Sequence, residues 1–302
     1  MTARLPSALA TALLALATTA CLGFHTGPLP DEPTDATFLQ LDDTRVRFVD
    51  EGEGPAVVLI HGFAASLNTW DDVLPALTEH YRVIAIDLRG FGFTDRPEGA
   101  DYSPLGQARL VLDVLDDRGV DTASVVAHSW GSSVALALAL EAPHRVDRLA
   151  LYDAWVYEEQ LPTFFLWSRA PGLGEALFRL FYRERPDDKI ELAFYDPRLV
   201  TQALVDETRE ALYRPGALAA SLEAVRGQRF AEIEHRYPEI DHPTLLLWGR
   251  EDGVTRLSAG ERLLSELPRA ELVVFPRCGH FPMIEATEAS NRRLLEFLGR
   301  DR

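Results

Sequence analysis

An apolar run that breaks straight into a serine and then into an alanine-rich helix leaves few folds open to this chain. Val125-Val126-Ala127-His128 reads as a strand, Ser129 follows it, and Ser133 to Leu140 is almost wholly Ala, Leu and Val. A strand-to-helix turn that sharp brings two backbones nearly into contact, so small residues must flank the serine. Ala127 and Gly131 meet that demand. The turn lifts the hydroxyl above the sheet edge and aims the first N–H groups of the helix into the same space. Trp130 N–H is then a natural donor to a developing oxyanion. The competing reading of Ser129 is an ordinary helix N-cap.

The surroundings fit such a turn. Ala56-Val57-Val58-Leu59-Ile60 is a continuous apolar run, as expected of a strand buried on both faces. Similar runs occur at 82–86, 124–127, 149–152, 244–248 and 272–275, and Arg45 to Val49 alternates like a half-buried strand. Helical periodicity fills most of the gaps, as over Leu105 to Leu115. The fold class expected is α/β: a mostly parallel central sheet flanked by helices. From Ala154 to about Tyr237 no run looks like a strand. That stretch is aromatic-rich and cut by Pro171, Pro186, Pro197 and Pro215. It predicts a helical cap over 155–238, inserted between two sheet strands. The core would then fall in two parts, 41–154 and 239–302. Every reactive motif lies outside the cap, so the cap is expected to govern substrate rather than chemistry.

Three further motifs follow strands. Ile60-His61-Gly62-Phe63 ends a buried strand, and Gly62 lets the backbone turn so that Phe63 N–H can serve as a second oxyanion donor. His61 reads as a structural residue that holds this loop. Trp248-Gly249-Arg250-Glu251-Asp252 places Asp252 beyond a late strand, where a carboxylate can orient a histidine. Glu251 should face the other side of that loop, and Asp153 is a rival position for the acid. Asp87 is expected to bond the turn Arg89-Gly90-Phe91-Gly92. Gly279-His280-Phe281 follows the last strand, and the chain order Ser129, Asp252, His280 is itself informative.

Charge and cysteines narrow the partners. A net charge of −17 disfavours nucleic acid and anionic lipid. Cys21 and Cys278 make neither a zinc pattern nor a disulfide framework, and the histidines include no HExxH, so no metal is expected. Residues 1–21 read as a signal sequence: a short basic start, then an Ala/Leu-rich segment to Ala20. Small residues before Cys21 resemble a lipoprotein box, though Thr18 stands where Leu is usual. A lipid anchor in the cell envelope, plain secretion and an uncleaved anchor all remain open. Residues 22–40, rich in Pro, Gly, Asp and Thr, read as a flexible tether.

With these motifs in hand, residues from about 41 to 300 resemble a capped α/β-hydrolase. The matches are His61-Gly62-Phe63, Asp87 to Gly92, the Ser129 turn, Trp248 to Asp252 and Gly279-His280. The resemblance implies Ser129 as nucleophile, His280 as general base, Asp252 as its partner, and no cofactor. Dehalogenases and epoxide hydrolases of this scaffold carry Asp where Ser129 stands. Prolyl iminopeptidases share Ser-Trp-Gly but carry His-Gly-Gly-Pro-Gly where this chain has His61-Gly62-Phe63-Ala64-Ala65. The expected reaction is hydrolysis of a small apolar acyl or aryl carboxylic ester through an acyl-enzyme, with Trp155 and Phe281 as substrate contacts. The alternatives are carbon–carbon bond hydrolysis of a vinylogous diketone, acyl transfer on the same triad, and a catalytically silent binding protein. Oligomeric state is not legible.

Overall fold

The computed structural model describes residues 22–300. Eight strands form one sheet in the order β1-β2-β4-β3-β5-β6-β7-β8. They are β1 (Thr37–Leu41), β2 (Thr44–Glu51), β3 (Ala56–Ile60), β4 (Arg82–Ile86), β5 (Ala123–His128), β6 (Val146–Tyr152), β7 (Thr244–Gly249) and β8 (Ala270–Phe275). The first two strands run antiparallel to their neighbours and β3 to β8 are parallel.

Strand alternation builds a core on each face. Val58, Ile60, Ile84, Ile86, Val125 and Leu151 point to one side, and Val57, Leu59, Val83, Ala85, Val126 and Leu247 to the other. The first face is covered by α2 (Pro104–Asp117) and α3 (Trp130–Glu141). The second is covered by Trp70, a short α1 (Leu74–Thr78) and the closing α11 (Thr287–Leu298). Between β7 and β8 runs α9 (Leu257–Glu266), and α10 (Pro282–Glu285) follows β8. The strand order reverses between β3 and β5. In parallel sheets the crevice beyond such a reversal is where ligands bind.

All of the chain between Tyr152 and Thr244 is helical or irregular. It contains α4 (Thr163–Ser168), α5 (Leu173–Leu177), a π-helical turn at Phe178–Tyr182, α6 (Pro186–Glu191), α7 (Gln202–Tyr213) and α8 (Ala217–Gly227). Its own small cores gather Phe178, Tyr182, Leu222 and Val225, and separately Ile190, Phe194 and Val205. The Phe178 and Tyr182 rings stack at 4.6 Å.

The reading of 22–40 as a free tether is corrected. Thr37–Leu41 is an edge strand. Upstream, His25 and Arg96 exchange backbone hydrogen bonds (3.0 and 2.8 Å), and Gly27 N–H donates to Asp95 (2.8 Å). Phe24 stacks on Tyr102, and Glu32 makes a two-pronged pair with Arg45 at 2.6 and 2.9 Å. Turn-forming composition suggested looseness, but the segment's polar groups find partners on the body. The signal-sequence and Cys21 readings lie outside the described residues.

Candidate active site

The strand-turn-helix at Ser129 has the geometry its sequence demands. Ser129 sits at φ 52°, ψ −123°, a conformation that costs a side-chain-bearing residue energy and that the surroundings must enforce. Its N–H donates to Tyr152 O (2.8 Å), and its carbonyl accepts from Trp155 N–H (3.1 Å). A Cβ on Gly131 would come within 2.4 Å of His61 O, so only glycine lets the helix start this close to the loop after β3. That contact sets the turn that carries Trp130 beside the loop that carries Phe63.

Three side chains converge above the sheet. Ser129 Oγ lies 2.9 Å from His280 Nε2, and His280 Nδ1 lies 2.8 Å from Asp252 Oδ2. Asp252 is fully enclosed, and its oxygens also accept from Val254 N–H (2.6 Å), Thr255 N–H (3.0 Å) and the Thr255 hydroxyl (2.6 Å). Burial alone would raise its pKa. The His280 ring and the bonds from His280, Asp153 and Thr255 outweigh burial and hold it at about 2. An ionised Asp252 fixes the proton of neutral His280 on Nδ1, leaving Nε2 free to take one from Ser129.

Asp153, the rival acid, lies behind this row. One oxygen each of Asp153 and Asp252 and a ring nitrogen of His280 are all within 4.8 Å of one another. Asp153 Oδ1 accepts from Gly249 N–H (2.9 Å), tying the end of β6 to β7. Burial first, and then the Asp252 charge, push its pKa well above its ordinary value. The remaining sequence candidates serve structure. His61 Nδ1–H donates to Gly62 O (2.7 Å) and Nε2 accepts from Leu88 N–H (3.0 Å). Asp87 accepts from Leu67 N–H (2.7 Å) and from Phe93 N–H (2.8 Å), one residue past the turn expected. Glu251 turns away from the site and accepts from Cys278 N–H (3.0 Å).

Residues distant in sequence hold the histidine loop. His128 Nε2 donates to His280 O (2.8 Å), and burial keeps that ring neutral. His280 N–H donates to Ala193 O in the cap (2.7 Å). Glu285 accepts from Gly279 N–H (2.9 Å) and, through its other oxygen, from Tyr195 N–H (2.8 Å). The cap, expected to affect substrate range more than triad geometry, thus also contacts the loop that carries His280.

A cavity of about 590 Å³ lies between cap and core. Phe63 and Phe281 wall it, each in a loop of the site, and Phe165, Tyr182, Ile190 and Leu212 close it from the cap. Phe281, expected as a substrate contact, is thus part of the cavity wall. Trp155 does not line the cavity: it packs against Phe165 (6.1 Å), and its contribution is the backbone bond to Ser129. Among the described residues, Glu207 is the one charged side chain in the lining. Its Oε1 accepts from Ser66 Oγ (2.8 Å) and Asn68 Nδ2 (2.9 Å), joining α7 to the loop after β3.

Residues 55–287 match the family model described as the alpha/beta hydrolase fold. A 2-hydroxy-6-oxo-2,4-heptadienoate hydrolase of Pseudomonas putida is 34% identical over 261 residues, 82% of this chain and 91% of that protein. A 2-hydroxymuconate semialdehyde hydrolase of a Pseudomonas species is 32% identical over 80% of this chain and 86% of its own length. Among solved structures, a meta-cleavage product hydrolase of Pseudomonas fluorescens superposes with a TM-score of 0.77 at 31% identity, covering 88% of this chain and 98% of its own. An N-acyl homoserine lactone degrading enzyme superposes with a TM-score of 0.73 at 26% identity, covering 86% and 100%.

Proposed function

Starting from a chain that belongs to the alpha/beta hydrolase fold family, we propose that this hydrolase splits a carbon–carbon bond in a small vinylogous diketone, using Ser129, His280 and Asp252. The unbroken row of hydrogen bonds from Ser129 Oγ through His280 to Asp252 carries the reading. The names of the relatives direct it to carbon–carbon cleavage ahead of the ester hydrolysis that the sequence alone suggested.

Ser129 Oγ adds to the ketone carbon as its proton passes to His280 Nε2. The oxyanion sits against Phe63 N–H and Trp130 N–H. The carbon–carbon bond then breaks, its electron pair flows into the conjugated carbonyl, and His280 returns a proton to the departing fragment. Water activated by His280 frees the acyl group as an acid. A ketone has no alkoxide to expel, so the departing carbon must be conjugated to an electron sink. An ester needs no sink, which is why one triad can serve both.

Ester hydrolysis is the second reading, and Glu207 favours it. A dienoate carries a carboxylate, and the charged group lining this cavity is a carboxylate too. The test is a direct comparison of 2-hydroxy-6-oxodienoates with nitrophenyl esters of graded chain length. Cleavage of the dienoate, read as loss of its conjugated absorbance, with kcat/KM above that for every ester supports the first reading. Turnover of esters alone transfers the assignment to the second. Retention of either activity by Ser129→Ala refutes both.

A further inference from the structure

Most of the polar side chains that line the cavity turn their donors toward the protein. Ser66 Oγ accepts from Asn68 N–H (3.3 Å), so its own proton goes to Glu207 Oε1 (2.8 Å). Tyr182 directs its hydroxyl to Ser221 Oγ (2.9 Å) and Thr208 directs its own to Leu204 O (2.8 Å). Asn68 gives one amide hydrogen to Glu207 Oε1 (2.9 Å). The donors left over are the Thr69 hydroxyl and the second Asn68 hydrogen. Among the described residues no Lys, Arg or His stands in the lining. Glu207 stands there with its second oxygen, Oε2, making no hydrogen bond to any described residue.

Such a lining discriminates between ligands. A substrate that fills this largely apolar space displaces solvent from a carboxylate. A charge deprived of water and left unpaired is costly to bury, and a second anion placed beside it adds repulsion. A ligand that presents an O–H or N–H group makes a charge-assisted hydrogen bond there instead. The position of the group is also fixed. Ser66 and Asn68, which hold Glu207 Oε1, belong to the loop that begins with Phe63, and Phe63, Ser66 and Asn68 all line the cavity. Glu207 therefore meets the part of a substrate that runs along this loop.

We propose that Glu207 selects the substrate: a carbonyl compound without a carboxylate, carrying a hydroxyl, amide or ammonium donor on the part that lies along the loop from Phe63 to Asn68. The donor bonds to Glu207 Oε2 while the apolar remainder fills the aromatic part of the cavity. This rests on the reading that Ser129 attacks a carbonyl held in this cavity, by either reaction above. For carbon–carbon cleavage it calls for a vinylogous diketone that lacks the carboxylate of a dienoate.

Ser129→Ala supplies the test, because it holds ligands without reacting and its affinities read the cavity apart from the chemistry. The probes are nitrophenyl esters of straight-chain acids of four to eight carbons, whose far end is methyl, hydroxyl, ammonium or carboxylate. Binding is measured by calorimetry. At the length that places the end group at Glu207, the hydroxyl and ammonium esters should bind about fivefold or more tighter than the methyl ester. The carboxylate ester should bind about tenfold or more weaker than the methyl ester. Adding Glu207→Gln keeps an oxygen for Ser66 and Asn68 and puts an amide donor in place of Oε2. The ammonium advantage should then vanish and the carboxylate ester should gain about tenfold. The proposal is overturned if the methyl ester binds as well as the donor-bearing ones at every length, or if the carboxylate ester binds tightest. It is equally overturned if no donor-bearing ester binds, or if the order survives Glu207→Gln. The expected affinities in Ser129→Ala, together with a wild-type enzyme that turns over neither ester nor diketone, would sink the proposed reaction and leave the selection by Glu207 standing.

Discussion

His128 and His280 lie with their rings 4.7 Å apart, and the first donates from Nε2 to the backbone carbonyl of the second at 2.8 Å. The residue before the nucleophile thus anchors the backbone of the base. His128→Phe keeps an aromatic ring in the slot but removes the donor. We expect kcat to fall roughly tenfold to a hundredfold, since misplacement by about an ångström costs on that order, with little change in KM. Steady-state kinetics read this, and an unaltered kcat would show that the hydrogen bond positions nothing.

Ser129 holds its hydroxyl against His280 Nε2 from a backbone at positive φ. Ser129→Ala and Ser129→Gly should each lower activity by about 10³-fold or more. They should differ in stability: glycine adopts that φ freely, so Ser129→Gly should be more stable than Ser129→Ala by about 1 kcal/mol. Denaturant midpoints of the pair decide it.

Asp252 and Asp153 should respond oppositely to pH. The folded pKa of Asp252, about 2, is below its ordinary value, so its stabilisation is present above about pH 4 and is lost as pH falls through 2. The contribution is on the order of 2 kcal/mol. Asp153 is shifted upward, so its contribution is present below about pH 4 and is lost as pH rises through its folded value. Asp153→Asn should therefore gain stability relative to wild type toward neutral pH and keep activity within about tenfold. Asp252→Asn should lose up to about 10⁴-fold in kcat, because His280 loses its tautomer control. Urea unfolding and kcat from pH 3 to 8 check both; a larger kcat loss in Asp153→Asn would make Asp153 the working acid.

Glu207→Gln removes a negative charge from the cavity wall while keeping an oxygen that can accept from Ser66 and Asn68. KM for an anionic dienoate should fall by about threefold to tenfold, the scale of one partly screened charge, while KM for a neutral ester should hardly change. Equal shifts for the two substrates would mean that the charge does not reach the ligand.

The sequence reading succeeded where the signal was local. β3 and β4 were legible to the residue because strands buried on both faces are unbroken apolar runs. Ser129 and Asp252 each follow such a strand, and His280 follows β8, whose apolar run is only partly buried. β1 was missed: its residues are half-exposed on an edge, and its neighbourhood is rich in turn formers. Thr255, Glu285, His128 and Ala193 were out of reach for a different reason. Thr255 reaches Asp252 only three residues away, but the roles of the others depend on contacts across as many as 152 residues of chain, and nothing in the local pattern of any of them marks it out. Trp155, expected as a substrate contact, packs against Phe165 and donates its backbone N–H to Ser129 O.

The bond from His280 N–H to Ala193 O couples the base to the portion of the molecule with the least core beneath it. A Cβ on Gly279 would lie 2.4 Å from the same carbonyl, so cap and loop are fitted against one another and separate together. Segments with small cores open more readily than whole domains. Activity should therefore fade on warming before the sheet melts, by a sub-global opening visible as faster amide exchange at Ala193 to Tyr195 and at Gly279 to Phe281. The cap is in this sense a thermal fuse for the reaction.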